Sequence, residues 1–577
     1  MGKSLSHLTR PSPELSKPGE PLVQPTSITD ALSGKHPLPW IFAALDEIHN
    51  LDLRNTWKVV PQSKDVNLNA IKSKFAFRLT IRPDDFLKFR ARLVACGYSQ
   101  IPGKDFDLTF APTAKYKSLC IVLHLAAIFG WEIAGIDVSN AYIEAKIDKL
   151  IYMILPKDLF RWPDGSRVVV ELLQSIYGLK QAGELWNSLL NEKITEFGFT
   201  RCMHDKCVYV LREQETGVVT IIVVYVDDVL FTGNSPTVIE SVITYLIAQF
   251  TKLTNMGEIT RYLGIDIKRD LASHTIELSQ KPYIARYIQE NVSPTASVKH
   301  LPLPETVDYS KKGDSTLPPI LDKVGSLRFM ADRTRPDLLT AVGAIGSSAA
   351  NPTIDHVRGA DHIGRYLAAT KEKCVVLGGM DTEVKLFGYS DASHLPYGDS
   401  KPRLGYCFYL NLESGAIFAR SHFATNVSHS SCESEVFALD ETIREAIYLR
   451  GFLDELGFTQ KQATVIYTDS VSAKALIDVF NVGTQSAHII MRLNYLHEQV
   501  LLKNVELKYV NTDIQVADIL TKLLSVPKHR QFTEFLLKGH NGVEPSSEPK
   551  AKPAKVKSMY KRDHLTGSFT HKYNNKK

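Results

Sequence analysis

Apolar and polar residues alternate with a period of two in some stretches of the chain and recur at helical spacing in others, so the elements can be placed before any chemistry is considered. Trp57–Val60 and Ile71–Thr80 predict short strands, and Lys88–Tyr98 alternates basic with apolar positions. A helix-like stretch runs from Pro39–Trp40 through Ile48. Leu119–Trp131 predicts a buried helix, Trp131–Asp137 a strand, and Val218–Phe231 a hairpin whose turn falls at two aspartates. A Pro-rich break at about Ser293–Pro319 precedes a helical block ending near Thr370. From Val384 to Leu524 the pattern is strand-rich again: Val384–Tyr389, Leu404–Leu410 and Gly415–Ser421, a long helix from near Cys432, then strands at Val465–Thr468 and Val505–Val510. Residues 1–35 and 539–577 show no periodicity and are predicted to be disordered. There are no internal repeats.

Composition adds bounds. A chain of 577 residues, 44% hydrophobic and 23% charged, is long enough for several cores. No apolar run approaches a membrane span of about 18 residues, and the N-terminus lacks the apolar core of a signal peptide. Seven cysteines, an odd and sparse set, predict a reducing compartment rather than a disulfide frame. Cys202 and Cys207 have no second Cys/His pair at zinc spacing, so no metal knuckle is expected. The net charge of +5 is concentrated at one end: residues 541–577 hold nine Lys/Arg and three Asp/Glu, so the first 540 residues sum to −1. Net charge alone therefore does not point to nucleic acid; local basic surfaces would be needed.

Candidate chemistry lies in the acids. Tyr225-Val226-Asp227-Asp228 sits between two apolar strands. Two charges about 4 Å apart repel by roughly 4 kcal/mol at an effective dielectric of 20, and a divalent cation is the natural compensation. The alternative is a solvated Asp-Asp turn. Asp137 ends another apolar strand. In the C-terminal region Asp391 ends a strand, and Glu435, Leu439 and Ile443 share one helix face while Glu433 points away. Asp469 ends a further strand, Asp513 is a candidate N-cap, and Asp518 lies on the helix expected after it. Any one of these acids taken alone reads as solvated surface. His488 and Arg492 share a helical face that is either a nucleic-acid contact or plain surface.

The order of blocks narrows the field. Arg90-Ala91-Arg92-Leu93-Val94-Ala95, Thr109-Phe110-Ala111-Pro112, Gly135–Tyr142, Tyr177–Gln181, Tyr225–Asp228, Tyr262-Leu263-Gly264-Ile265 and Thr334-Arg335-Pro336-Asp337 resemble, in sequence order, the motifs of copia-like reverse transcriptases. The resemblance runs from about residue 40 to 525 and implies an α+β multidomain protein: a fingers–palm–thumb right hand, a connection segment and a C-terminal RNase H fold of βββαβα pattern. The expected division is a disordered segment at 1–35, fingers and palm at 36–270, thumb and connection at 271–380, RNase H at 384–525 and a basic tail at 539–577. By resemblance Asp137 and Asp227 are metal ligands, Asp228 supports them near the primer end, and Val138 lends a backbone carbonyl. Tyr142 becomes the wall that rejects a 2′-hydroxyl, unless it is a core tyrosine. Arg90 and Arg92 would grip the triphosphate, unless they are simply an exposed basic strand. Tyr225 and Val226 flank the acids. Gly178, Lys180 and Gln181 would line a template–nucleotide platform, and Tyr262, Leu263 and Gly264 would position the primer. Asp391, Glu435, Asp469 and Asp518 would hold the metals of the nuclease.

The implied cofactor is Mg²⁺, two ions per site, with Mn²⁺ as an alternative. The implied partners are an RNA template, a DNA primer, an RNA–DNA hybrid and dNTPs, with a homodimer left open and integrase and capsid of the same element if it is active; no membrane is implied. The implied location is cytoplasmic, in virus-like particles, with nuclear entry left open. Cys96 stands where the family usually has a basic residue, Ala141–Ala145 departs from the commoner Phe-Leu-Asn-Gly or Phe-Leu-His-Gly form, and Cys432 replaces a usual Thr. No Asp-Thr-Gly or Asp-Ser-Gly and no integrase pattern is found. The rivals are a catalytically silent or domesticated remnant that binds nucleic acid, a nuclease with a silent polymerase half, and a structural protein of the element's particle.

Overall fold

The alternation in the basic N-terminal stretch folds as a hairpin, Ser73–Ile81 with Leu87–Ala95. Phe75, Phe77, Leu79, Ala91 and Leu93 are buried, and Trp40 of helix Pro37–Leu53 meets Phe77 and Phe89 edge-on at 5.3 and 4.8 Å. Lys74, Arg78, Lys88 and Arg90 occupy the alternate positions and are exposed. The computed structural model describes residues 23–62, 68–81, 86–309, 311, 313, 317–394, 401–479, 489–540, 542, 543 and 545. His488 and nearly all of the basic tail lie outside the described residues.

Next comes a six-stranded antiparallel sheet, ordered Leu253–Glu258, Glu132–Val138, Asp228–Gly233, Val218–Tyr225, Val208–Glu213, Thr200–Arg201. The buried helix predicted near residue 119 spans Tyr116–Ile128. It packs on Asp228–Gly233, and also on Thr275–Ser279 and Val375–Gly378 of a second sheet. That sheet joins Arg261–Tyr262, Ile265–Asp270, Thr275–Ser279 and Val375–Gly378. The division expected at residue 270 therefore falls at the end of a strand within a hairpin. The helical block follows as Lys281–Asn291, Leu321–Ala331, Leu339–Gly346 and Ile354–Ala369. Its Arg335 and Asp337 are fully buried and joined by two hydrogen bonds of 2.9 and 2.8 Å, with Tyr366 donating to Asp337 at 2.8 Å. A pair this deep is held by geometry; removing one partner would strand a charge.

The C-terminal unit is a five-stranded sheet ordered Phe418–Phe423, Arg403–Tyr409, Phe387–Ser393, Thr464–Thr468, Val505–Tyr509. The first three strands are antiparallel and the last two join in parallel, with helix Ser431–Glu455 laid on Phe387–Ser393. The expected βββαβα order is present, so the chain has the multidomain architecture that the motifs implied.

Four expectations are corrected. A helix, Ile28–Ser33, lies inside the stretch expected to be disordered; Ser27 caps it, and Ile28 and Ala31 are buried. Asp513 is not an N-cap, because Asn511 accepts from the Asp513 N–H and Gln515 caps the next turn. Asp518 lies on a short 3₁₀ turn, Val516–Leu520, not on an α-helix. The unit does not end at 525: helix Val526–Lys538 buries Phe532 and Leu536, the Ala416 N–H donates to Leu536 O at 2.9 Å, and His540 stacks on Tyr389 and Phe535.

Two buried clusters hold these units together. One runs from Ile121 of helix Tyr116–Ile128 and Ile136 and Val223 of the six-stranded sheet into Leu439, Ile443 and Leu449 of helix Ser431–Glu455. The other runs from Leu327, Ile345 and Ile363 of the helical block to Tyr389, Tyr409, Tyr467 and Phe532. Burial of each such side chain is worth about 1.5–3 kcal/mol. Among the described residues no helix is long and apolar enough to cross a membrane.

Candidate active sites

The ladder register brings the first three acids together. Asp137 lies directly opposite Asp228, so their side chains share a face with Cβ atoms roughly 4.5–5.5 Å apart. Tyr225 pairs with Asp228, which leaves Val226 and Asp227 as the two-residue turn. Val226 has a φ of +59°, a left-handed conformation that a β-branched residue adopts only under constraint. The constraint is visible. The Trp186 indole donates to the Val226 carbonyl at 2.6 Å, and the Val138 N–H donates to the Asp227 carbonyl at 3.0 Å. The Tyr262 hydroxyl, from a neighbouring hairpin, donates to the Asp228 and Val223 carbonyls at 3.1 and 3.3 Å.

All three carboxylates are half-buried. Burial, then the charges of Asp227 and Asp137, pushes Asp228 up to about 6. Burial and Asp137 also raise Asp227, against the opposing pull of its own backbone N–H and of Arg92. Ser139 donates to Asp137 at 3.0 Å. The oxygens of the three acids do not all lie within 4.8 Å of one another.

Around them the other expected residues divide. Tyr142 meets Tyr177 edge-on at 4.9 Å, and the Arg92 guanidinium sits 4.4 Å over the Tyr177 ring. Burial, then Asp227, raises the Tyr142 hydroxyl. Arg92 is thus drawn towards the acids, whereas Arg90 is exposed opposite Arg78. Gly178, at φ +92°, approaches so closely that a Cβ there would collide with Ala95 O. Lys74, Cys96, Gly97, Tyr98, Gly178 and Lys180 line a cleft of about 460 Å³. The basic charge missing at Cys96 is present in this cleft as Lys74 and Lys180. Gln181 is fully buried and faces none of this space: its amide donates to Asp105 O at 2.8 Å and accepts from Gln100 at 3.0 Å. Tyr262 is also buried, and the Leu263-Gly264 turn that follows, with φ of +51° and +77°, is half-buried.

The second set of acids converges more tightly. Asp391 on the central strand, Glu435 on the helix capped by Ser430, and Asp469 after strand Thr464–Thr468 place carboxylate oxygens all within 4.8 Å of one another. No other group of three such ligands does so among the described residues. Asp391 and Glu435 are buried, and Glu435 Oε2 has no hydrogen-bond partner among the described residues. Burial, then Asp391 and Asp469, lifts Glu435 well above the usual carboxylate range. Asp518 stands beside this trio, pushed up to about 7 by burial and Asp391. Glu433 accepts from the His429 N–H at 2.7 Å instead, as its helix phase predicts. Arg492 is engaged within the fold, 3.3 Å from Asp440 and 4.4 Å over the Phe437 ring.

Residues 54–304 match the family described as reverse transcriptase (RNA-dependent DNA polymerase). The chain is 32% identical over 520 residues to a retrovirus-related Pol polyprotein from transposon TNT 1-94 of Nicotiana tabacum, an alignment covering 88% of this chain and 38% of that protein. It is 31% identical over 514 residues to that from transposon RE1 of Arabidopsis thaliana, covering 88% and 34%. Residues 54–304 thus belong with the reverse transcriptases, and the chain is similar over most of its length to copia-like Pol polyproteins. It spans just over a third of the length of these curated relatives. A solved foamy viral protease–reverse transcriptase in complex with double-stranded DNA aligns over 82% of this chain and 70% of that one, at 14% identity and a TM-score of 0.47.

Both acidic sets of this copia-like chain are suited to hard divalent cations. Their donors are carboxylate oxygens, and the orphaned buried Glu435 Oε2 calls for a cationic partner. The sequence reading missed Trp186 and Tyr177, whose roles depend on contacts between distant segments. It also missed Thr521 and Lys522. Thr521 donates to Asp391, and Lys522 pairs with Asp518 at 2.7 Å and with Asp391 at 3.3 Å. The four-residue spacing from Asp518 to Lys522 was the available signal.

Proposed function

We propose that the chain is an RNA-directed DNA polymerase with a fused ribonuclease H that degrades the RNA of the hybrid it makes. The observation that carries this is Asp137 directly across the ladder from Asp228, with Asp227 in the turn beside them. The family match to residues 54–304 supports the polymerase half, and the convergent Asp391, Glu435 and Asp469 support the nuclease half.

In this reading Asp137 and Asp227, supported by Asp228 and the Val138 carbonyl, hold Mg²⁺ in the palm; Asp391, Glu435, Asp469 and Asp518 do so in the nuclease. The cations would supply activation of the attacking oxygen and stabilisation of the leaving group in an in-line displacement at phosphorus. Arg92 and Arg90 bind the triphosphate of the incoming dNTP, since guanidinium matches phosphate geometry. Tyr142, held by Tyr177, closes the sugar side against a 2′-hydroxyl. Lys74, Lys180 and Tyr98 give the template strand two charges and an aromatic face. The Leu263-Gly264 turn meets the primer backbone. Because phosphate contacts dominate such binding, affinity for the hybrid falls with salt.

The test is primer extension on poly(rA)–oligo(dT) with Mg²⁺, run beside release of labelled RNA from a hybrid. The Asp227→Asn, Asp228→Asn double variant is expected to lose extension and keep RNA release. Asp391→Asn is expected to do the reverse. A wild-type protein that binds hybrid but performs neither reaction would instead be a silent remnant.

A further inference from the structure

Asp391 is shared between two arrangements of charge. On one side it forms the trio with Glu435 and Asp469. On the other it faces Asp518, and the Lys522 ammonium lies between the two, 2.7 Å from Asp518 Oδ1 and 3.3 Å from each oxygen of Asp391. The two acids have side chains only 1% and 3% exposed, whereas that of Lys522 is 37% exposed. The ammonium therefore enters from the solvent side, on a flexible stem, to neutralise two buried carboxylates. Just outside, Lys522, Ser393 and Glu305–Asp308 line an open cleft of about 450 Å³. A side chain leaving the acids has somewhere to go.

We infer that Lys522 is the built-in occupant of a second cation position, between Asp391 and Asp518. This rests on the nuclease reading above. The free protein takes a single divalent cation at the Asp391–Glu435–Asp469 trio. A second cation enters only when Lys522 withdraws, and the withdrawn ammonium pairs with a phosphate of the bound hybrid, a strong charge-assisted contact. Lys522 is thus a positioning residue. It keeps Asp391 and Asp518 aligned without metal and makes complete loading of the site depend on substrate.

The test counts bound Mn²⁺ by titration calorimetry, on full-length protein carrying Asp137→Asn, Asp227→Asn and Asp228→Asn so that the palm is silent. The protein retaining Lys522 is expected to bind one Mn²⁺ alone and two with a hybrid whose scissile 2′-hydroxyl is methylated. Lys522→Met is expected to bind two without hybrid, and Lys522→Arg to restore one. Lys522→Gln, which keeps length and a donor but removes the charge, is expected to match Lys522→Met and covers the case in which the apolar variant misfolds. Equal stoichiometry in the Lys522, Lys522→Met and Lys522→Gln proteins overturns the proposal. If none of them binds Mn²⁺ and the palm-silent protein releases no RNA from an unmodified hybrid, the nuclease reading itself fails and this inference with it.

Discussion

Val226 shows how much a single residue can depend on distant ones. Its left-handed backbone is sustained by the Trp186 indole, forty residues earlier in the chain. A neutral hydrogen bond of this kind is worth about 0.5–1.5 kcal/mol. Trp186→Phe keeps the bulk and removes the donor, so it is expected to slow extension between roughly two- and tenfold while RNA release on the same preparation is unchanged. An equal fall in both activities would mean that Trp186 serves only general stability. The acids were singled out in the sequence by their places at the ends of apolar strands, and only the order of motifs, by resemblance, gave them roles. Their supports were not legible there. Nothing in the local pattern links Trp186 to Val226, Tyr177 to Arg92, or Lys522 to Asp391, since each contact is made by the fold. The same limit explains Gln181, whose sequence neighbours line a cleft while its own amide is tied inside to Gln100 and Asp105.

At the scale of elements, periodicity located the central hairpin, the buried helix and the strands of the C-terminal sheet to within a few residues. It failed where stability comes from packing alone. The 3₁₀ turn carrying Asp518 reads as a helix because its apolar spacing is the same over so short a span. Helix Tyr116–Ile128 carries a further consequence. His124 is fully buried there, its Nδ1 accepting from the Gly378 N–H at 3.3 Å and lying 3.1 Å from Ser414 Oγ. Burial lowers its pKa from 6.5 to about 3. The folded state holds this ring neutral, while the unfolded chain takes up the proton below about pH 6.5. The stabilising contribution is therefore complete above that pH and is lost progressively as pH falls towards 3. His124→Asn, which retains an acceptor near the Nδ1 position, is expected to shallow the acid limb of a melting-temperature profile between pH 6.5 and 4. An unchanged limb would place the acid sensitivity elsewhere.

For the whole molecule, the units are joined by shared cores. The five-stranded C-terminal sheet is covered on one side by a cluster continuous with the six-stranded sheet and on the other by one continuous with the helical block. Lys117 of helix Tyr116–Ile128 and Lys115 just before it reach Glu445 and Tyr448 of helix Ser431–Glu455, and His204 lies 2.9 Å from Glu455. Composition and motif order could not reveal this, because a residue packed between units has the same hydropathy as one packed within a unit. Extension and RNA release are therefore expected to be lost on heating along one curve. Curves separated by several degrees would show that the units melt independently.

The continuity of these cores also bears on inheritance. When two related elements recombine, a crossover between helix Tyr116–Ile128 and helix Ser431–Glu455 exchanges one half of a shared interior for a half shaped by another history. Overpacked or hollowed contacts at such a seam typically cost 1–3 kcal/mol each. Successful exchanges should therefore carry residues from helix Tyr116–Ile128 to helix Val526–Lys538 as one block, with crossovers tolerated mainly outside it.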